Sequence, residues 1–224
     1  MRPSSLPLNA QLVVRPYGPG DRAQVRQLCC ETADRGKPVE RFFPEREIFA
    51  DLVLAYYTDY EPEATWVAES EGEAIGYLAG CLNHRRCWRT MIWRIIPRAV
   101  FRTLRCGLWV SRQTWFLLGA GLKTTLRGGF WRRVPLGRYP AHLHVNVQQG
   151  FRGQHVGRRL VEQFCEQVKA AHLAGVHAAV RQDNAAACAF FERMGFTLLS
   201  CHPVIHVEDG VHRLSYTRIY GKRV

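Results

Sequence analysis

The stretch His142-Leu-His-Val-Asn-Val-Gln-Gln-Gly-Phe-Arg-Gly-Gln-His-Val-Gly-Arg-Arg-Leu160 decides how the chain is read. Val145 and Val147 alternate with His144 and Asn146, the two-residue period of a strand. Beyond Gly150, the run Arg152-Gly-Gln-His-Val-Gly157 supplies small residues where the backbone must bend. From Val156 onward the apolar residues Val156, Leu160, Val161, Phe164, Cys165 and Val168 fall on one helical face. A strand that enters a helix through such a turn presents several backbone N–H groups at a helix N-terminus. Those donors and the helix dipole both favour an anion such as a pyrophosphate. The same pattern also serves as a plain structural turn, and the stretch alone does not separate the two.

The 224 residues suffice for one sizeable core, here read as a single domain over 1–224 with an insertion at about 84–138. Met1–Ala10 carries one charge, Arg2, and no apolar run, so no signal peptide is read there. No stretch reaches the length of a membrane-spanning helix. The eight cysteines form no CxxC pair and no framework, which suits reduced thiols and a cytoplasmic location. The nine histidines show no zinc spacing; His202, His206 and His212 come nearest but lack a thiol or carboxylate partner, so no metal site is expected. The formal charge of +12 is local. Of 31 Lys/Arg, 13 lie between Arg85 and Arg138, where there is no Asp or Glu, and the rest of the chain is nearly balanced.

Leu12–Tyr17 reads as a first strand, and Asp21 as the N-cap of a helix to about Ala33 with Val25, Leu28 and Cys29 inward. A second helix is expected from Pro44, with Ile48, Leu52, Val53 and Tyr56 facing the core. Ala64–Glu69 and Ala74–Leu82 read as a hairpin. After the basic segment come the opening stretch, a strand at Val176–Val180, a helix at Asn184–Met194 and a hairpin of Phe196–Val207 with Val211–Tyr220. The order β-α-α-β-β-insert-β-α-β-α-β-β describes an α/β fold with a mixed sheet.

A second constellation, Asn184-Ala-Ala-Ala-Cys-Ala-Phe-Phe-Glu-Arg-Met-Gly-Phe196, follows one strand after the glycine turn. It resembles the N-x-x-A-x-x-x-[YF]-E-x-x-G-F signature of the GNAT superfamily of acetyl-CoA-dependent N-acetyltransferases. Arg152, His155 and Gly157 resemble that family's R-x-x-G-x-G/A acyl-CoA turn. The start of the chain (Arg15-Pro-Tyr17, Thr32-Ala-Asp-Arg-Gly36) is also similar to the acetyltransferase-like branch associated with O-GlcNAcase C-terminal domains. The resemblance implies a mostly antiparallel mixed sheet flanked by helices, with acetyl-CoA as co-substrate. By the same resemblance, Val145 and Val147 offer main-chain groups to the pantetheine arm. The backbone of Gly153, Gln154, His155, Val156, Gly157 and Arg158 cradles the pyrophosphate. Arg152, Arg158 or Arg159 adds a charge to it, and Asn184 and Phe191 border the cofactor.

This chain departs from the family pattern at two positions. His155 stands where the turn has its first glycine, so its backbone either keeps a negative φ or is left-handed. Phe191 replaces the tyrosine that many members offer to the leaving thiolate; a thiol pKa near ~8.5 makes that loss tolerable. His144, and next to it His142, are the expected proton acceptors for the amine. Glu31, Asp34 and Glu61, at the ends of the first two helices, read first as capping or solvated residues.

Five of the six tryptophans (Trp88, Trp93, Trp109, Trp115, Trp131) lie in the basic segment. Arg94, Arg98, Arg102 and Arg105 form a charged helical stripe, and Trp115, Leu118, Leu122 and Leu126 an apolar one. An anionic membrane surface, a nucleic acid, or a helical cap with arginines in water all suit that composition, nucleic acid least. The combined reading is an acetyltransferase acting on an amine in a ternary complex, cytoplasmic and open to peripheral membrane contact and to homodimerisation. Its competitor is a non-catalytic acyl-CoA-binding or membrane-surface module of the same fold.

Overall fold

The computed structural model describes residues 12–43, 45–129, 134–208 and 210–224. Met1–Ala10, Pro44 and Trp131, which carry expectations above, lie outside them. The strands are β1 (Val13–Pro16), β2 (Thr65–Ser70), β3 (Glu73–Cys81), β4 (Ala141–Val147), β5 (Gly175–Arg181), β6 (Thr197–Glu208) and β7 (Val211–Arg223). They form one sheet in the order β1-β2-β3-β4-β5-β7-β6, antiparallel at every junction except β4–β5. The mixed sheet expected from the element order is therefore present, and it is mostly antiparallel, as the resemblance implies.

Helices cover both faces. On one side α1 (Arg22–Glu31) and α2 (Arg46–Asp59) pack on Val67, Tyr77, Ala79 and Cys81. On the other, α6 (Val156–Ala170) and α7 (Ala185–Arg193) cover Leu78, Leu143, Val176 and Ala178. The period of two sends alternate β4 residues to opposite faces: Ala141, Leu143, Val145 and Val147 go to α6, and His142, His144 and Asn146 to the α1–α2 side. Gly80 is where Phe164 of α6 presses on β3; a Cβ there would overlap that ring and lie 2.5 Å from the Ala64 carbonyl oxygen.

Some expectations shift by a turn. Asp21 caps no N–H of α1; its carboxylate is held by Arg15 at 2.7 Å and by the Gly18 N–H at 2.8 Å. Glu45 caps α2 by accepting from Ile48 N–H. Leu54, Ala55 and Tyr57 are buried in α2 with Ile48 and Tyr56, whereas Leu52 and Val53 are half-buried.

Between β3 and β4 the basic segment forms α3 (His84–Thr90), a π-helical turn (Met91–Ile95), α4 (Ile96–Arg105) and α5 (Arg112–Leu126). The π turn sits just before Pro97, whose missing N–H and ring bulk disrupt an ordinary α ladder. The arginine stripe reaches back to the body at three points although Arg94, Arg98 and Arg105 stay exposed. Arg98 donates to Tyr60 at 2.9 Å, Arg94 lies over the Tyr60 ring and Arg102 bonds Asp51. The apolar residues turn outward: Trp93 is 77% exposed, Phe101 66% and Leu126 78%, with Val100, Leu104, Trp115, Leu118 and Leu122 also exposed. α5 meets β6 through small and polar residues, Ala120 and Thr124, whose hydroxyl accepts from Ile205 N–H at 2.8 Å. A helix that docks by its small face leaves its large apolar face outside. Among the described residues, no helix is long and apolar enough to cross a membrane.

Candidate active site

The parallel strands β4 and β5 pair only at Ala141↔Val176 and His142↔His177. Beyond His142 they part, and the remainder of β4 borders an opening. Gln148 N–H bonds the Ile75 carbonyl, and antiparallel pairing alternates. The even residues of β4 therefore exchange backbone bonds with β3, and the N–H and C=O groups of Leu143, Val145 and Val147 face the opening. An extended chain bearing amides finds there the partners that β5 would otherwise supply.

The turn expected to bind phosphate lies at the mouth of this opening. Gly153 has φ +83° and His155 φ +61°, ψ 9°, so His155 takes the left-handed alternative. The helix ladder starts with Arg159 N–H to the His155 carbonyl, which leaves the N–H groups of Val156, Gly157 and Arg158 ahead of it. Gly157 lies between Val147 and the Phe190 ring, neither closer than 3.5 Å to a Cβ placed there. Glycine at 157 is thus not forced by packing; it leaves the main chain open to a ligand.

Residues 128–196, from the end of the insertion through the turn to Phe196, match the family model described as acetyltransferase (GNAT) family. Over that stretch the chain is similar to GNAT acetyltransferases. The crystal structure of SsHAT is 25% identical, covering 95% of this chain and 98% of that one, with a TM-score of 0.68. Structures of yncA from Salmonella typhimurium with its cofactor acetyl-CoA (15% identical, 95% and 93% covered, TM-score 0.55) and of ribosomal-protein-alanine N-acetyltransferase from Brucella melitensis (16%, 95% and 99%, 0.55) share the fold.

The remaining residues picked from sequence sit in different settings around the opening and the turn. Arg152 bends back, donating to the Val147 carbonyl at 3.1 Å and the Arg35 carbonyl at 3.5 Å, and so straps the α1–α2 connection to the turn. Arg158 pairs with Glu162 on the same helix, and Arg159 reaches the Leu12 carbonyl. The Gln154 side chain donates to the Gly150 carbonyl. Asn184 caps α7 through its side-chain oxygen, 3.2 Å from Ala187 N–H. Phe191 is only 5% exposed, packed against Phe190, Phe196 and Tyr220. Phe190, its neighbour, is the ring that meets Gly157.

The polar face of β4 is tightly furnished. Asn146 donates to the Tyr77 hydroxyl at 3.0 Å and lies 3.5 Å from Nε2 of His144. Desolvation pushes the His144 imidazole down to about 4, so that ring is neutral at physiological pH. His142 has its Nδ1 3.1 Å from the Tyr57 hydroxyl. Of the acidic residues considered, Glu61 is buried and accepts from Tyr56 at 2.7 Å and from Leu82 N–H at 2.9 Å, a structural role. Asp34 pairs with Arg35 and Arg181. Glu31 lines a groove of about 360 Å³ with Gln24, Gln27, Gln148 and Phe151.

Sequence spacing missed one grouping. Cys81, His84 and His142 place their ligand atoms within 4.8 Å of one another. They come from the end of β3, the start of α3 and β4. The available signal was Cys81-x-x-His84, a pair too short to stand out without its distant partner.

Proposed function

We propose that this chain transfers the acetyl group of acetyl-CoA to an amine by direct attack in a ternary complex. The observation that carries the reading is the parting of β4 from β5 after two paired residues, with the left-handed turn at its mouth. Pantetheine amides bond the main chain of Val145 and Val147 within the opening, and the pyrophosphate takes the N–H groups of Val156, Gly157 and Arg158. The amine approaches from the α1–α2 face, where His144 accepts a hydrogen bond from it. Nitrogen attacks the thioester carbon, the tetrahedral intermediate collapses, the C–S bond breaks to release the CoA thiolate, and the proton lost from nitrogen passes by way of His144 to that thiolate or to solvent. That leaving group needs no strong acid, which suits a site with phenylalanine at 191.

Thiol release from acetyl-CoA across a panel of amines, beside calorimetric binding of CoA, tests this. Release with at least one amine is expected. Binding without release with any amine favours a non-catalytic acyl-CoA-binding module, and absence of both refutes the two readings. His144→Ala is expected to lower kcat by roughly tenfold to a hundredfold with little change in CoA affinity; an unchanged rate removes His144 from the chemistry.

For the insertion we propose seating on an anionic membrane surface. The support is its outward Trp93, Val100, Phe101, Leu104, Trp115, Leu118 and Leu122 among exposed Arg86, Arg89, Arg105 and Arg127, with no carboxylate between residues 85 and 138. Flotation with anionic but not zwitterionic vesicles is expected; indifference to lipid charge overturns it.

A further inference from the structure

We propose that Cys81, His84 and His142 form a binding site for a zinc-class divalent cation at the closed end of the β4–β5 opening. Their ligand atoms already lie within 4.8 Å of one another, a short closure from the ~2.0–2.3 Å bonds of such ions. One thiol and two imidazoles are the donors that borderline-soft cations prefer over magnesium or calcium. Cys81-x-x-His84 supplies a local pair and His142 the distant ligand, the arrangement by which zinc sites tie separate elements together.

The surroundings orient these rings. His177, which pairs with His142 across the two strands, is buried, with its ring 4.8 Å from that of His84 and 5.0 Å from that of His142. Its Nδ1 is 2.9 Å from the Tyr139 carbonyl, which only accepts, so Nδ1 carries the proton and Nε2 keeps a lone pair. An imidazole held by a backbone carbonyl is the outer bonding that orients metal-binding histidines. Tyr57 bonds His142, and the Trp88 indole donates to Nε2 of His84 at 2.8 Å. A cation taken up by His84 therefore changes the surroundings of Trp88.

The position gives the site a purpose. It joins the last residue of β3, the first residue of α3 and the point where β4 leaves β5, and so pins the root of the insertion to the apex of the opening. With His142 engaged as a ligand, His144 is left as the histidine of β4 facing the amine.

The purified full chain is stripped with chelator and titrated with cobalt(II) alone, so that the readout does not depend on acetyl transfer. Expected are saturation at one equivalent, a thiolate-to-cobalt charge-transfer band, tetrahedral d–d bands, and a change in tryptophan emission that disappears in Trp88→Phe. Cys81→Ser removes the charge-transfer band, and His84→Ala weakens binding by at least about tenfold. Circular dichroism confirms that each variant is folded; if Cys81→Ser does not fold, His84→Ala carries the test. Absence of stoichiometric binding overturns the proposal, as does a wild-type spectrum in folded His84→Ala or Cys81→Ser, which assigns the cobalt to other histidines.

Discussion

His155 holds φ +61° in a turn whose family pattern has glycine, and this makes its backbone measurable. A left-handed conformation costs an L-residue about 1–2 kcal/mol, of which histidine, tolerant of this region, bears the lower part. Replacing it by glycine removes the Cβ penalty but returns about 0.5–1 kcal/mol through the freer unfolded chain. His155→Gly is therefore expected to gain up to about 0.5 kcal/mol, and His155→Ala, which keeps the Cβ but lacks histidine's tolerance of this region, to lose about 0.5 kcal/mol. Both changes delete the imidazole, so the glycine-minus-alanine difference isolates the backbone, at about 1 kcal/mol. Gly153→Ala is the mirror experiment. A Cβ there meets nothing within 4 Å, so its loss of about 1 kcal/mol comes from φ +83° alone. Urea unfolding followed by tryptophan fluorescence resolves such values, and equal m-values guard the comparison. If glycine and alanine at 155 agree within about 0.3 kcal/mol, the turn is not left-handed there in solution, and the argument for a preformed anion cradle fails with it.

Gly80→Ala forces a methyl against the Phe164 ring and the Ala64 carbonyl, and is expected to cost about 3 kcal/mol in urea unfolding. Adding Phe164→Leu recovers little, because the backbone oxygen stays in place; full recovery contradicts the packing described. Asp21 is held below the usual carboxylate range by the Arg15 guanidinium and then by the Gly18 N–H. A depressed carboxyl stabilises the fold above the unfolded value of 3.8 and loses that contribution as pH falls through its folded value. Asp21→Asn is thus expected to cost about 1–2 kcal/mol at pH 7 and progressively less below pH ~4; a cost constant down to pH ~2 rejects the assignment. Thr124→Val removes the hydroxyl that Ile205 N–H needs, and is expected to loosen α5 and raise amide exchange at Ile205.

Element order was legible because each strand and helix carries its own period, and the alternation of His144 and Asn146 with the valines fixed the two faces of β4 before any coordinates. The glycine turn and the helix after Asn184 were legible as well, since glycines and an Asn-led helix are local signals. Phe191 and Phe190 were harder to place: they are adjacent on a helix buried on more than one side, and only tertiary packing decides which ring meets Gly157. The arginine stripe was found, but its direction was not. Its partners, Asp51 in α2 and Tyr60 just beyond it, are far away in sequence, and nothing local says that Arg98 and Arg102 reach them while Trp93 and Phe101 turn out. The Cys81–His84–His142 grouping failed for the same reason, since its members meet only once β3, α3 and β4 are assembled.

The π turn at Met91–Ile95 acts as a phase corrector. The inward residues of this long helix, Cys87, Met91, Ile95, Ala99 and Thr103, recur every four positions. In an ideal α-helix, with about 100° per residue, sixteen residues overshoot whole turns by about 160°. Five residues wound at about 4.4 per turn take back roughly 90° of that. Straightening this turn into an α-helix with no residue removed would therefore roll everything beyond Pro97 by roughly 90° and carry Ala99 off α2, whereas losing one residue with the bulge would keep the phase. One residue of slack in the winding decides which side of the insertion the solvent meets.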